Sequence, residues 1–229
     1  MNTKTGSLTE VDTRPGFNDF HSLAIRIWHW TFFVVLTASL VCVLFGSTAF
    51  KTKDNIALVQ NQLKEKGAIV TKDQARAVAH EYSDKLWNLH KYFGYVLCGL
   101  LLCRIIIEIA QPSDENFKVK IKRTLGFKPV IEEEKTERRH YLRVKTVYLI
   151  FYLLILTQAL TGLGLAFEDS PILKDIQKPI KNVHAFVQYF IYGFILIHLI
   201  GVINADIGKY NGLISGMVHG KKRKKELQA

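Results

Sequence analysis

The chain is poor in the features from which soluble folds are stabilised or made reactive. It has only three cysteines in 229 residues, too few for a disulfide scaffold. Cys42, Cys98 and Cys103 all fall inside apolar runs, where a thiol behaves as a small hydrophobe. No Cys-x-x-Cys-His occurs, which excludes covalent c-type haem attachment. No Cys/His cluster has the close spacing of a zinc site. The apolar runs hold no Ser/His/Asp set, paired carboxylates or phosphate loop. Internal repeats are absent, and the basic stretch 221–225 is the one low-complexity tract. The scarcity that decides the class is charge in the wrong places. Overall 22% of residues are charged and mean hydropathy is +0.10. Yet the 31 lysines and arginines and 20 acids are nearly missing from four long apolar runs and crowd between them. That segregation excludes a soluble globular domain, and the high hydrophobic fraction excludes disorder.

Residues 27–45 form 19 positions without a formal charge, 147–167 form 21 and 182–205 form 24. Each is long enough to cross a hydrocarbon core of about 30 Å as a helix. A fourth run, 86–109, is interrupted by Lys91 and Arg104, but both lie near its ends, where long basic side chains reach the interface. Backbone satisfaction in lipid then points to an all-α integral membrane four-helix bundle. With the N-terminus inside, 20 lysines and arginines fall on the inner side and 11 on the outer, so both termini are expected in the cytoplasm. The net charge of +11 is largely accounted for by this topology, and the 221–225 cluster reads as an anchor at anionic lipid rather than a nucleic-acid site.

Residues 1–20 are a polar cytoplasmic tail without the apolar core of a secretory signal, so the first run is expected to stay as an anchor. The membrane domain covers 21–220, and 221–229 form a basic cytoplasmic tail. Between the first two spans, 48–85 is expected to be a periplasmic helical insertion. Within it Thr71-Lys72-Asp73-Gln74 has the form of a capping box, and Ala75, Val78, Ala79, Tyr82 and Leu86 follow at helical spacing. It is either a partner's docking surface or an amphipathic helix packed on the bundle or membrane.

Histidine is costly in hydrocarbon, and four of the eight lie in spans: His29, His90, His184 and His198. Alternating helix direction puts His29 near the inner face and His90 near the outer one. His184 lies near the outer face and His198 is 14 residues further in. Fourteen residues turn a helix by about 1,400°, nearly four turns, so both imidazoles share one face about 21 Å apart. Depth therefore pairs His29 with His198 and His90 with His184. Two facing imidazoles in a bundle core are what a six-coordinate b-type haem requires, leaving electron transfer as the available chemistry. Arg26 lies three residues before His29, Lys181 three before His184, and Arg104 14 after His90, which places cations where haem propionates need them. Gly94 and Gly201 follow His90 and His198 closely enough to make room for a flat macrocycle. Taken singly, each histidine also reads as an interfacial or packing residue. His21, His80, His140 and His219 lie in polar segments and read as solvated.

With these residues assembled, the chain resembles the four-helix bacterial cytochrome b561 and nickel-iron hydrogenase cytochrome b subunit group. The resemblance runs through Arg26-Ile27-Trp28-His29-Trp30, His90 with Gly94 and Arg104, Thr161-Gly162, His184 and His198, and the tail 212–220. It implies two non-covalent haem b groups with bis-histidine ligation, on His29/His198 and His90/His184. It also implies a multi-pass protein of the bacterial inner membrane that moves electrons between a quinone pool and a redox partner. The partner would be a hydrogenase-like or other dehydrogenase or reductase subunit, or a c-type cytochrome. The long outer segment departs from the simplest members and favours a docked partner. Quinone is expected near the cytoplasmic haem, with Gln158 or Thr161 as polar contacts. The rival readings are a haem-free membrane anchor, a proton-relay or transport subunit, and a one-haem variant.

Overall fold

The computed structural model describes residues 22–110, 116–168, 170–208 and 213–220. The expectations for 1–20 and 221–229 fall outside them. The order is α1 (Leu23–Ser47), α2 (Thr52–Glu65), α3 (Lys72–Ala110), α4 (Phe117–Gly126), α5 (Glu132–Ala166), a 3-10 turn (Lys174–Ile176), α6 (Gln177–Ile207) and α7 (Leu213–His219). Helices α1, α3, α5 and α6 carry the four long apolar stretches, and no strand occurs among the described residues. The protein is an all-helical bundle of four candidate spans, as the charge pattern requires.

Two of these helices are much longer than a bilayer needs. Helix α3 has 39 residues and α5 has 35, or about 58 and 52 Å at 1.5 Å per residue. The excess of α3 projects at one end of the bundle and pairs with α2. Its start is the capping box read from sequence: Gln74 N donates to Thr71 Oγ1 at 3.2 Å and Thr71 N to Gln74 Oε1 at 2.8 Å. Ala75, Ala79 and Ser83 recur every four residues and are buried, with Ile56 of α2 likewise buried. Small side chains at that spacing let the two helices approach closely. One continuous helix therefore runs from the insertion into the second span.

At the opposite end, α4 and the first turns of α5 occupy a stretch read from sequence only as a basic connection. Arg138 of α5 donates to the carbonyls of Thr124 and Leu125, both at 3.0 Å, closing the end of α4. Glu108 accepts from Phe117 N and holds the start of α4 against the end of α3. Lys145 lies 5.9 Å from the Phe117 ring. Phe117 beside Lys145 and Thr124 beside Arg138 make α4 antiparallel to α5.

Within the bundle α1 packs most closely on α3 and α5 on α6, while α3 and α5 join the two pairs more loosely. Trp28, Phe32, Leu36, Leu101, Ile155, Val187 and Ile191, drawn from all four spans, form the buried cluster. Most other large apolar side chains of the spans point outward, for example Leu102, Leu160 and Phe186, each 62% exposed. In lipid such exposure carries no penalty, so cohesion comes from close packing and buried hydrogen bonds. Trp28 Nε1 donates to the Leu100 carbonyl at 2.6 Å, and at Gly46 any Cβ would come 3.2 Å from the Trp87 ring. These two contacts lock α1 to α3 at both ends.

Candidate cofactor site

The four span histidines meet in two pairs, one near each end of the bundle. His29 of α1 faces His198 of α6 with ring centroids 6.3 Å apart and planes at 57°. His90 of α3 faces His184 of α6, also at 6.3 Å, with planes at 82°. In both pairs one partner comes from α1/α3 and the other from α6, so each spans the seam between the two tightly packed helix pairs.

The equal separation has a chemical meaning. A metal–imidazole bond is about 2 Å long, and a ring nitrogen lies about 1 Å from its own centroid, so two rings on opposite sides of one metal stand about 6 Å apart. Rings hydrogen-bonded directly to each other would stand closer. Among the described residues no group of three His, Cys, Asp or Glu side chains converges. Each pair could thus hold a metal-centred cofactor such as haem between two imidazoles.

Neighbouring groups fix which ring nitrogen is offered. Thr161 Oγ1 donates its single proton to the Thr157 carbonyl at 2.7 Å, so its oxygen accepts from His184 Nδ1 at 2.9 Å. His90 Nδ1 lies 3.0 Å from Ser39 Oγ and 3.3 Å from the Ser39 carbonyl, an acceptor only. With each Nδ1 proton given to these oxygens, both Nε2 atoms keep the lone pair a metal needs. Gly162 lets His184 sit against α5, since a Cβ there would stand 3.2 Å from His184 Cε1. In the other pair, His198 lies parallel to Phe194 at 5.7 Å and 7°, with Tyr148 at its edge, and His29 meets the Trp30 ring edge-on.

The predicted cations are placed unequally. The Arg26 guanidinium lies against Gly220 just beyond α7, and its buried Nε makes no hydrogen bond. Lys181 is exposed on α6, one turn before His184. Arg104 is engaged inside the chain: NH1 is 3.0 Å from Glu108 Oε2, Nε donates to Tyr152 Oη at 3.2 Å, and the Trp28 and Tyr152 rings lie 5.9 and 5.8 Å from its Cζ. Its charge is thus compensated by a carboxylate four residues on in the same helix, at the spacing of an i,i+4 ion pair. Gly94 and Gly201 both face open space, where an added Cβ would meet no heavy atom within 4 Å.

Two further residues fall elsewhere than expected. Thr161, expected as a polar contact near the His29/His198 pair, is bonded to His184 at the other end, because α5 carries it to the depth of that pair. Gln158 lies one turn below it, and its buried Oε1 has no hydrogen-bond partner among the described residues. Ser39, which sequence reasoning misses, lies against His90. Its only signal is a hydroxyl inside the first apolar run at the depth of His90, which antiparallel helices bring together.

The sequence pattern of the family described as Prokaryotic cytochrome b561 matches residues 21–220. No curated protein and no solved structure matches the chain. With four candidate spans and a match over nearly its whole length, the chain belongs to the prokaryotic cytochrome b561 family and is a membrane cytochrome b of electron transfer.

Proposed function

We propose that the chain holds two non-covalent b haems, one between His29 and His198 and one between His90 and His184, and passes electrons between quinone and a redox partner subunit. When bound, the haem iron supplies reversible one-electron exchange with both axial positions filled. The observation that carries this reading is the 6.3 Å centroid separation repeated in both pairs. The 14-residue offset of His184 and His198 on one helix sets the two centres about 21 Å apart along the bundle.

In this reading the chain's own residues bind and orient. His29, His90, His184 and His198 each offer one ring nitrogen. Arg26 and Lys181 supply positive charge to propionates, Arg26 with a buried Nε still lacking an acceptor. Arg104 joins them only by exchanging Glu108 as its partner. The open space beside Gly94 and Gly201 accommodates macrocycle edges. The projecting α2/α3 pair offers a partner subunit, hydrogenase-like, another dehydrogenase or reductase, or a c-type cytochrome, a surface beyond the lipid. The bacterial inner membrane is the location this function requires.

Haem content by pyridine haemochrome tests the assignment. Wild type is expected to bind two haems per chain, and His184→Ala and His198→Ala are each expected to bind one, with different spectra. Two haems retained in both variants would sink the ligand assignment, and none in wild type would favour an anchor or proton-relay subunit.

A further inference from the structure

The two histidine pairs differ in what stands behind them. Behind His90 and His184 there are oxygen acceptors: the Ser39 hydroxyl at 3.0 Å and carbonyl at 3.3 Å, and the Thr161 hydroxyl at 2.9 Å. Behind His198 there is the parallel Phe194 ring and the edge of Tyr148, and no hydrogen bond to the His198 ring is present among the described residues.

An imidazole that donates its Nδ1 proton to an acceptor becomes a more basic ligand through Nε2. A more basic ligand favours the oxidised, more positive iron and so lowers its reduction potential, as second-shell hydrogen bonding generally does at haem sites. A ring held only by aromatic packing gains no such basicity.

Resting on the two-haem reading above, we infer that Ser39 and Thr161 are positioning residues of the His90/His184 centre. By accepting from Nδ1 they keep each Nε2 turned to the shared metal position and lower the reduction potential of that centre. The burial of Ser39, 4% exposed in an otherwise apolar helix, is then explained by its bond to His90. Thr161 is half-buried, and its hydroxyl stands between Thr157 on one side and His184 on the other.

The test is a spectroelectrochemical titration of purified full-length protein carrying both haems, with the wave lost in His184→Ala marking the His90/His184 centre. Wild type should show two waves, one of them belonging to that centre. Thr161→Val and Ser39→Ala should each raise that wave, leave the other in place and keep two haems, and the double variant should raise it further. Thr161→Ser, which keeps the hydroxyl, should return it to the wild-type position. Two retained haems with that wave unmoved or lowered, or movement of the other wave alone, would overturn the inference and leave the two-haem reading intact. Wild type lacking two haems would instead bring down that reading and this inference with it. If Thr161→Val fails to hold haem, Ser39→Ala carries the same test, since it leaves the backbone and its carbonyl in place.

Discussion

Arg104 and Glu108 put two opposite charges inside a helix that crosses the bundle, with side-chain exposures of only 16% and 29%. The pair holds together because each charge has more than one partner: Tyr152 and two aromatic rings for the arginine, the start of α4 for the carboxylate. Removing one member leaves the other uncompensated in a poorly hydrated place, at a cost of about 3 kcal/mol. Glu108→Gln is therefore expected to lower the unfolding temperature in detergent, read by intrinsic fluorescence. Arg104→Met with Glu108→Met should recover most of that loss, and a double variant as unstable as the single one would contradict the pairing. At this scale the histidines are legible because an ionisable group in an apolar run is conspicuous. Ser39 is not, because a small hydroxyl in a membrane helix commonly bonds within its own helix, and only its position opposite His90 gives it a role.

Helix α3 shows how one element serves two surroundings. Its first part is a polar helix with a small-residue seam against α2, and its second part is an apolar span carrying His90. Placing Leu at Ala79, which is 3% exposed, overfills that seam at a cost of about 1–3 kcal/mol. The expected result is faster proteolysis between α2 and α3 with haem content unchanged, since the histidines lie beyond the seam. Thr71→Ala should remove about 1 kcal/mol of capping and speed amide exchange in the first turn of α3 alone. On α5, Gly162→Val is expected to displace His184 and lose one haem, whereas Gly99→Ala, in open space, should lose neither. The capping box and apolar spacing make the start of α3 readable. Helix α4 is not readable in the same way, because ten residues rich in lysine carry little helical signal until α5 and Glu108 fix their ends.

At the level of the molecule, the charge bias predicts that the α2/α3 end faces outward and the α4 end faces the cytoplasm. Ile69, 95% exposed between α2 and α3, and Val130, 86% exposed between α4 and α5, are suited to test it. Ile69→Cys is expected to react with a membrane-impermeant maleimide on intact spheroplasts and Val130→Cys only after permeabilisation, and the reverse order would invert the topology. The native thiols at Cys42, Cys98 and Cys103 lie in the spans and give the background.

The sequence by itself determined how many times the chain crosses, which helices run in opposite directions and at what depth each histidine lies, because hydrophobic length and helical pitch are local properties set by order along the chain. Tertiary structure alone decided the 6.3 Å spacing of the rings, the acceptors behind His90 and His184, and the bond of Arg104 to Tyr152. Those depend on how α1/α3 and α5/α6 pack side by side, and residues far apart in order acquire a distance only when the helices that carry them meet.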